Sequence, residues 1–500
     1  MKRIYSSSTS SGNPGLLWQT WLILVVAAVF SVGSYLIASV VTYKIGFPLD
    51  DSWIFQTYAR NLALRGEWAF LPGQPSGGST APLWSALLSL GFRIHLAPYA
   101  WTYFVGGLAL LVLAVEAEFA MRQQVKNYRG VIPWAGLLMI FEWHMAWSSV
   151  SGMETLLHGL LVLIVLVALS RKPVPWAFVG ILAGLSVWVR PDGATLLGPV
   201  LFAAVFGEKS WGNRIRATVS ALVGFGTLFV IYLLFNLLLA GTVLPTTFYA
   251  KQAEYISWQL RPLTGRIGEL ALQFLAGPAL VLLPGFVLAT VQAVRRKEWG
   301  RISAVMWIAG YLCLYLLRLP AYQHGRYIMP AMPIFFFLGL IGFYNALRPP
   351  VRTRVVRLIK SAWAISIFVF CAGFWLMGAR YYSEDVRFIE SEMVDTADWV
   401  AKNIPSDKLL AVHDIGAMGY FGNHSMVDLA GLISPDVIPF IRDEDRIAIY
   451  LDEKQVDYLV AFPDWYTFLA SDLKPVFTTG APYAPALGGT NMTVYQWPGP

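Results

Sequence analysis

Residues 17–51 read LWQTWLILVVAAVFSVGSYLIASVVTYKIGFPLDD: a run to Tyr43 without a charge, then Lys44 and, shortly after, two adjacent acids, Asp50 and Asp51. A bilayer core is crossed by a helix of roughly 20 apolar residues, so the run predicts a membrane span. It follows Lys2 and Arg3, is too long for the apolar part of a signal peptide, and lacks a small-x-small cleavage site. It therefore reads as a retained anchor. Further runs lie near 98–120, 131–149, 154–170, 175–189, 193–207, 217–240, 268–294, 302–319, 327–347 and 360–378. The expected fold is an α-helical multi-pass membrane protein of about eleven spans over residues 1–378. A small C-terminal α/β domain, extracytoplasmic, is expected over 379–500.

Composition points the same way. The 500 residues are 56% hydrophobic and 13% charged, about half the charge of a soluble domain. That excludes cytosolic metabolic enzymes, disordered chains and nucleic-acid binders, so no nucleic-acid partner is expected. The net charge of +7 hides two unlike parts. Residues 1–378 hold 29 Lys and Arg against 12 Asp and Glu, and residues 379–500 hold 8 against 18. Alternate loops of the apolar part are basic: Arg122/Lys126/Arg129, Arg171/Lys172, Lys209/Arg214/Arg216, Arg295/Arg296/Lys297/Arg301 and Arg348/Arg352/Arg354/Arg357/Lys360. Cytoplasmic loops collect such residues, which predicts a cell-membrane protein with a cytoplasmic N-terminus. An odd number of spans then leaves the acidic tail outside, together with most acids of the membrane part, Glu142 among them. Cys313 and Cys371 sit in apolar runs and build neither a disulfide nor a metal framework.

In the tail, strands near 409–412, 426–429, 457–462, 474–478 and 491–496 alternate with helices near 391–404 and 444–455 and one starting at Ser434-Pro435-Asp436. That order predicts a mainly parallel sheet. No glycine-rich phosphate fingerprint occurs, so no nucleotide site is assigned.

Outer-side chemistry comes in islands. The first outer loop, 46–82, reads GFPLDDSWIFQTYARNLALRGEWAFLPGQPSGGSTAP. Residues 52–65 form an amphipathic pattern, Ile54, Phe55, Tyr58 and Leu62 on one side and Ser52, Gln56 and Arg60 on the other. This predicts an interfacial helix with its apolar face in the headgroup layer and the acid pair before its N-terminus. The acids either cap that helix or act in chemistry. Further islands are Ser151-Gly152-Met153-Glu154-Thr155, Arg190-Pro191-Asp192-Gly193, the stretch Leu244 to Lys251, and His324-Gly325-Arg326-Tyr327. Singly they read as ion pairs or snorkelling interface residues. Together, cations beside apolar walls suit a phosphate whose lipid tail stays in the bilayer, and carboxylates suit a base for a hydroxyl nucleophile.

The ordered set LDDSWIFQTYARNLALRG, PGQPSGGSTAPLW, SGMET, VRPDG, LPTTFYAK, HGRY, PAMP, DIGAMGYF and VDLAGLISPD resembles the GT-C superfamily of integral membrane glycosyltransferases, in its bacterial arabinofuranosyltransferase-like branch. The resemblance implies a polyprenyl-phosphate sugar as donor, inversion at the anomeric carbon, and a glycan, glycolipid or protein as acceptor. It implies one of Asp50 and Asp51 as general base, with Asp50 favoured. Arg326 and Lys251, with Arg60 behind them, would neutralise the donor phosphate, while Glu154 and Asp192 would orient groups or bind sugar hydroxyls. Arg190, His324 and Tyr327 complete the membrane-side substrate candidates, and His413, Asp414 and Asp428 are those of the tail. A divalent metal at the acid pair occurs in some relatives and stays open here. The alternatives are a transporter or flippase of a lipid-linked glycan, and a membrane-anchored binding protein.

Overall fold

Inside a bilayer only a helix or closed barrel satisfies its own backbone, and the apolar runs do fold as helices. The structure, a computed structural model, describes residues 17–349 and 353–499; Lys2, Arg3 and Arg352 of the predicted basic loops lie outside the described residues. The first half of the bundle comprises α1 (Trp18–Thr42), α2 (Asp51–Arg65), α3 (Pro82–Arg93), α4 (Pro98–Gln124), α5 (Trp134–Phe141), α6 (Trp143–Val150), α7 (Thr155–Ala168), α8 (Trp176–Val189) and α9 (Leu197–Gly207). The second comprises α10 (Trp211–Ala240), α11 (Thr246–Glu254), α12 (Ile256–Leu260), α13 (Leu263–Leu275), α14 (Pro278–Arg296), α15 (Trp299–Arg318), α16 (Tyr322–Gly325), α17 (Met332–Leu347) and α18 (Arg354–Ile389).

Among the described residues, seven helices are long and apolar enough to cross a membrane, and the apolar helices at 155–168, 176–189 and 191–207 are shorter. Those short helices are packed inside protein: α7 is buried along nearly its whole length. Small residues let backbones approach in such a bundle; a Cβ on Gly342 would stand 1.8 Å from the carbonyl oxygen of Gly285, where α14 meets α17. The predicted run 131–149 is broken at Glu142. Its carboxylate accepts from the Met145 N–H at 3.1 Å and pairs with His144 at 2.8 Å. It is fully buried, about 12 Å of helix away from Val150, rather than in an outer loop. The reason is that a capping carboxylate with an imidazole partner is satisfied inside the bundle.

The chain leaves the bundle without a break. A π-helical turn, Glu390–Val394, joins α18 to α19 (Asp395–Asn403), so one helix runs across residue 378. Beyond it come α20 (Ile415–Phe421), α21 (Glu444–Glu453) and a short helix α22 (Tyr483–Ala486). After the two-stranded ribbon of the first loop, β1 (Ala69–Leu71) with β2 (Gln74–Pro75), the remaining strands are β3 (Leu410–Val412), β4 (Met426–Asp428), β5 (Tyr458–Ala461), β6 (Lys474–Thr478) and β7 (Thr493–Gln496). They form one sheet in the order β4-β3-β5-β7-β6. The sheet is mixed rather than mainly parallel: β3 pairs in parallel with β4 and β5, while β7 runs antiparallel to both β5 and β6. The last two strands lack an intervening crossover helix long enough to return the chain in parallel.

The helix predicted over 52–65 is present as α2, but not as an interfacial one. Both of its faces are buried, Ser52 and Gln56 as fully as Ile54, Phe55 and Tyr58. Helix α3 packs on one side and α20 of the C-terminal domain on the other. The polar face is covered because partners satisfy it: Ser52 Oγ donates to the Ser151 carbonyl at 2.7 Å, and Gln56 Nε2 to Thr102 Oγ1 at 2.7 Å.

Candidate active site

A cavity of about 490 Å³ opens between α2, the break after α8, and helices α11 and α15. Its walls are apolar (Ile54, Phe55, Val187, Phe229, Leu314), and its charged lining is Asp51, Glu154, Arg190, Asp192, Lys251, Arg318 and Arg326. Gly78, from the Gly-Ser-rich part of the first loop, lines it too, held by its N–H donating to the Tyr58 hydroxyl at 3.0 Å.

Asp51 starts α2 and faces this space. Its Oδ2 accepts from Arg326 Nη2 at 2.6 Å and lies 3.9 Å from Lys251 Nζ. Lys251 Nζ and Arg326 Nη2 also donate to the Tyr327 hydroxyl, at 2.8 and 3.0 Å. Burial opposes the charge of Asp51, but Arg326 and Lys251 outweigh it and hold the carboxyl down at about 2. Arg326 is only 5% exposed, and its Nε and Nη1 have no partner. A buried guanidinium with unused N–H groups is costly unless a ligand takes them. Local backbone explains its aim: Gln323, His324 and Gly325 all have positive φ, 52°, 58° and 72°. That left-handed turn directs Arg326 and Tyr327 inward and His324 away.

A second cluster forms where α8 stops. Pro191 cannot continue that helix, and a 3₁₀ turn, Pro191–Leu196, follows. Arg190 Nη1 donates to Glu154 at 2.8 Å and Nε to Asp192 at 3.2 Å. Asp192 accepts from the hydroxyls of Tyr311, at 2.7 Å, and Tyr315. Next to it a shallower apolar groove of about 310 Å³ runs between α9 and α15, lined by Gly198, Phe202, Met306, Trp307 and Gly310. Thr195 lines groove and cavity alike.

The structure thus brings together Asp51, Glu154, Arg190, Asp192, Lys251, Arg326 and Tyr327. It separates the others. Asp50, favoured as base from the sequence, is 7% exposed and spends both oxygens on α20, accepting from Gly416 N–H at 2.7 Å and Ala417 N–H at 2.8 Å. Burial pushes its carboxyl up to about 7 despite those two bonds, and the neighbouring charge of Asp51 adds to the rise. Arg60 donates to the carbonyls of Tyr420 and Gly419, so it ties α2 to the same helix instead of facing a phosphate. His324 pairs with Asp385 at 2.8 Å among Trp143, Trp147 and Tyr381. His413 bonds Tyr466 at 2.7 Å, and burial lowers it to about 4. Asp428 is fully buried and organises the turn after β4 through the N–H groups of Ala430, Leu432 and Ile433. Asp414 stands at the N-cap position of α20 with its Oδ2 buried and unpartnered.

Tyr311 and Tyr315 were not singled out in the sequence. With Trp307 they recur at i, i+4 and i+8, a polar-tipped stripe inside the run 302–319 that was visible there. The acid pair does not present a metal-ligand set, since Asp50 is used by backbone N–H groups and Asp51 by Arg326. Among the described residues no group of three His, Cys, Asp or Glu is placed to hold an ion.

Residues 380–495 match the family model described as a domain of unknown function (DUF8728). The chain is 24% identical over 368 residues, 66% of its length, to the terminal β-(1→2)-arabinofuranosyltransferase of Mycobacterium tuberculosis. That match spans 56% of the relative's own length. Among solved structures, ArnT from Cupriavidus metallidurans bound to undecaprenyl phosphate has a TM-score of 0.56 at 12% identity, covering 96% of this chain and 98% of that one. The Archaeoglobus fulgidus oligosaccharyltransferase in its apo form gives 0.60 at 11% identity, over 96% and 75%. Arabinofuranosyltransferase AftD from mycobacteria gives 0.53 at 16%, over 96% and 42%. In fold the chain is like these three solved membrane proteins, and in sequence it is similar to an arabinofuranosyltransferase.

Proposed function

We propose that the chain is an inverting glycosyltransferase. It moves a sugar from a polyprenyl-phosphate donor to a hydroxyl of a cell-envelope glycan, glycolipid or protein on the outer face of the membrane. The observation that carries this reading is the buried Arg326, with two unused N–H groups, beside Asp51 in a cavity walled by apolar residues. A lipid phosphate satisfies that guanidinium and keeps its chain in the bilayer.

Asp51 is the general base. Paired with Arg326 it is a poor proton acceptor, because a carboxyl at about 2 holds a proton weakly. The donor phosphate draws Arg326 and Lys251 toward its own oxygens, and Asp51 gains proton affinity as they leave. The carboxylate then takes the acceptor hydroxyl proton while that oxygen attacks the anomeric carbon from the opposite face. The bond from that carbon to the phosphate oxygen breaks, and its electron pair leaves with polyprenyl phosphate. Arg326 and Lys251 stabilise the departing charge electrostatically. Arg190, Glu154 and Asp192, braced by Tyr311 and Tyr315, hold sugar hydroxyls. The groove between α9 and α15 carries the isoprenoid chain. The fold resemblance supports transfer over transport of a lipid-linked glycan.

The test is turnover of a panel of polyprenyl-phosphate pentoses and hexoses by the purified chain, with and without chelator. Asp51→Asn should lower kcat by about 10²–10⁴-fold, and Arg326→Ala should weaken donor use. Unchanged turnover in both variants refutes the assignment.

A further inference from the structure

We propose that Phe248 and Gln252, on the outer row of α11, form the subsite for the acceptor saccharide, the ring stacking on a sugar face and the amide bonding its hydroxyls. This rests on the transfer reading above. Thr247, Phe248, Lys251 and Gln252 all line the cavity. Their spacing of i, i+1, i+4 and i+5 puts them in two adjacent rows on one side of the helix. The inner row is committed. Thr247, 3% exposed, donates from Oγ1 to the Gly78 carbonyl at 2.7 Å. Lys251 Nζ donates to the Tyr327 hydroxyl and lies 3.9 Å from Asp51. The outer row is free. Phe248 is 38% exposed, and the half-buried Gln252 has a side-chain amide with no hydrogen-bond partner among the described residues.

That outer row is fixed in place. Thr246 donates to the Leu432 carbonyl of the C-terminal domain, Thr247 holds the first loop, and Ala253 packs on the core of that domain. The rings of Phe248 and Tyr249 meet at 90° with centroids 5.5 Å apart, an edge contact that steadies Phe248. Thr80 of the first loop also lines the cavity, half-buried, its hydroxyl without a partner among the described residues. The cavity therefore offers an aromatic ring, an amide and a hydroxyl, all neutral. An amide and a hydroxyl both donate and accept, as the hydroxyls of a sugar do, and an aromatic face suits the C–H side of its ring. Contact of Phe248 with lipid alone explains neither Gln252 nor Thr80. In the transfer reading Arg326 and Lys251 take the donor phosphate, and the cluster around Arg190 takes the donor sugar. The acceptor places one hydroxyl at Asp51 while the rest of a glycan passes outward. The row next to Lys251 is the surface that such a chain crosses.

The experiment measures binding, so it does not wait on turnover. Methyl glycosides of pentose and hexose disaccharides are titrated against the purified full-length chain by saturation-transfer NMR, and undecaprenyl phosphate is titrated in parallel. Phe248→Leu and Gln252→Ala should each weaken disaccharide binding about 3–10-fold, the scale of one aromatic contact or one hydrogen bond, and leave undecaprenyl phosphate binding at the wild-type level. Phe248→Trp keeps a flat ring and should retain disaccharide binding. Phe248 is exposed and the Gln252 side chain makes no internal bond, so these variants fold. Wild-type disaccharide affinity in Phe248→Leu and Gln252→Ala overturns the subsite. Equal losses in Phe248→Leu and Phe248→Trp, or equal losses of disaccharide and undecaprenyl phosphate binding, overturn it as well. So does a wild type that binds undecaprenyl phosphate and no disaccharide. Failure of the wild type to bind undecaprenyl phosphate instead removes the transfer reading on which the subsite rests.

Discussion

Asp50→Ala separates the two aspartates of the first loop, because the structure gives them different work. The substitution removes the acceptor for the Gly416 and Ala417 N–H groups, which Asp50 meets at 2.7 and 2.8 Å in a buried contact. A lost N-cap costs about 0.5–2 kcal/mol, and hydrogen bonds to a charged acceptor contribute about 1.5–3 kcal/mol. Part of that loss is recovered locally, since Asp414 already sits at the N-cap position and can turn onto the same N–H groups. The expected net cost is about 1–3 kcal/mol for opening α20. Hydrogen exchange over residues 415–421 reads that opening directly, and about 1.4 kcal/mol is a tenfold change in protection. Asp50→Ala should speed exchange by about 5–150-fold on that scale. Asp414→Ala alone should change exchange little, because Asp414 makes no cap bond while Asp50 is present. The double variant should lose about 1 kcal/mol more than the sum of the singles, since the substitute cap is gone. Wild-type exchange in Asp50→Ala refutes the clasp. Strict additivity in the double variant refutes the exchange of roles.

The groove between α9 and α15 yields a steric test: a Cβ at Gly198 or Gly310 meets nothing within 4 Å. Gly310→Leu and Gly198→Leu should therefore fold and raise the donor KM by about 10-fold or more, an occluded-tail effect; unchanged KM for both sinks the groove as the isoprenoid track. The third prediction concerns pH. Asp50 is raised to about 7, with Asp51 of α2 and Asp414 of the C-terminal domain facing it. A carboxyl raised on folding adds stability that is present below its unfolded value and is lost as pH rises through about 7. Protection of residues 415–421, corrected for intrinsic exchange, should thus fall between about pH 4 and 7 in wild type and not in Asp50→Asn; a flat wild-type profile contradicts it. Sidedness is checked by cysteine labelling in a Cys313→Ser background. Asp472→Cys should react with an impermeant maleimide from outside the cell and Lys126→Cys only from inside, both positions being exposed; the reverse pattern inverts the proposed topology.

The periodic and compositional features of the chain are legible in its residue order. A charge-poor run of bilayer length has one physical solution, so the helices, the basic loops and an acidic tail with alternating strands and helices followed from residue order alone. The islands around Glu154, Arg190, Lys251 and Arg326 were legible too, because charge retained beside apolar runs is expensive without a partner. Three readings were beyond it. That α2 is enclosed rather than interfacial depends on α20, more than 350 residues away in sequence. That His324 and Arg326 part company depends on three consecutive left-handed residues, of which only Gly325 announces itself. That Glu142 sits within the bundle depends on His144 being there to pair with it.

The acid pair shows the division most clearly. Sequence alone determined that two carboxylates stand together after the first span and before a loop able to shape a cavity. Their spacing in the chain is one residue and their chemistry is identical, so nothing local tells them apart. Tertiary structure decided it: successive side chains at a helix start point in different directions, and the C-terminal domain brings two backbone N–H groups to Asp50, while α11 and the turn before Arg326 bring cations to Asp51. A carboxylate's role is set by the groups that reach it, and these groups arrive from distant parts of the chain.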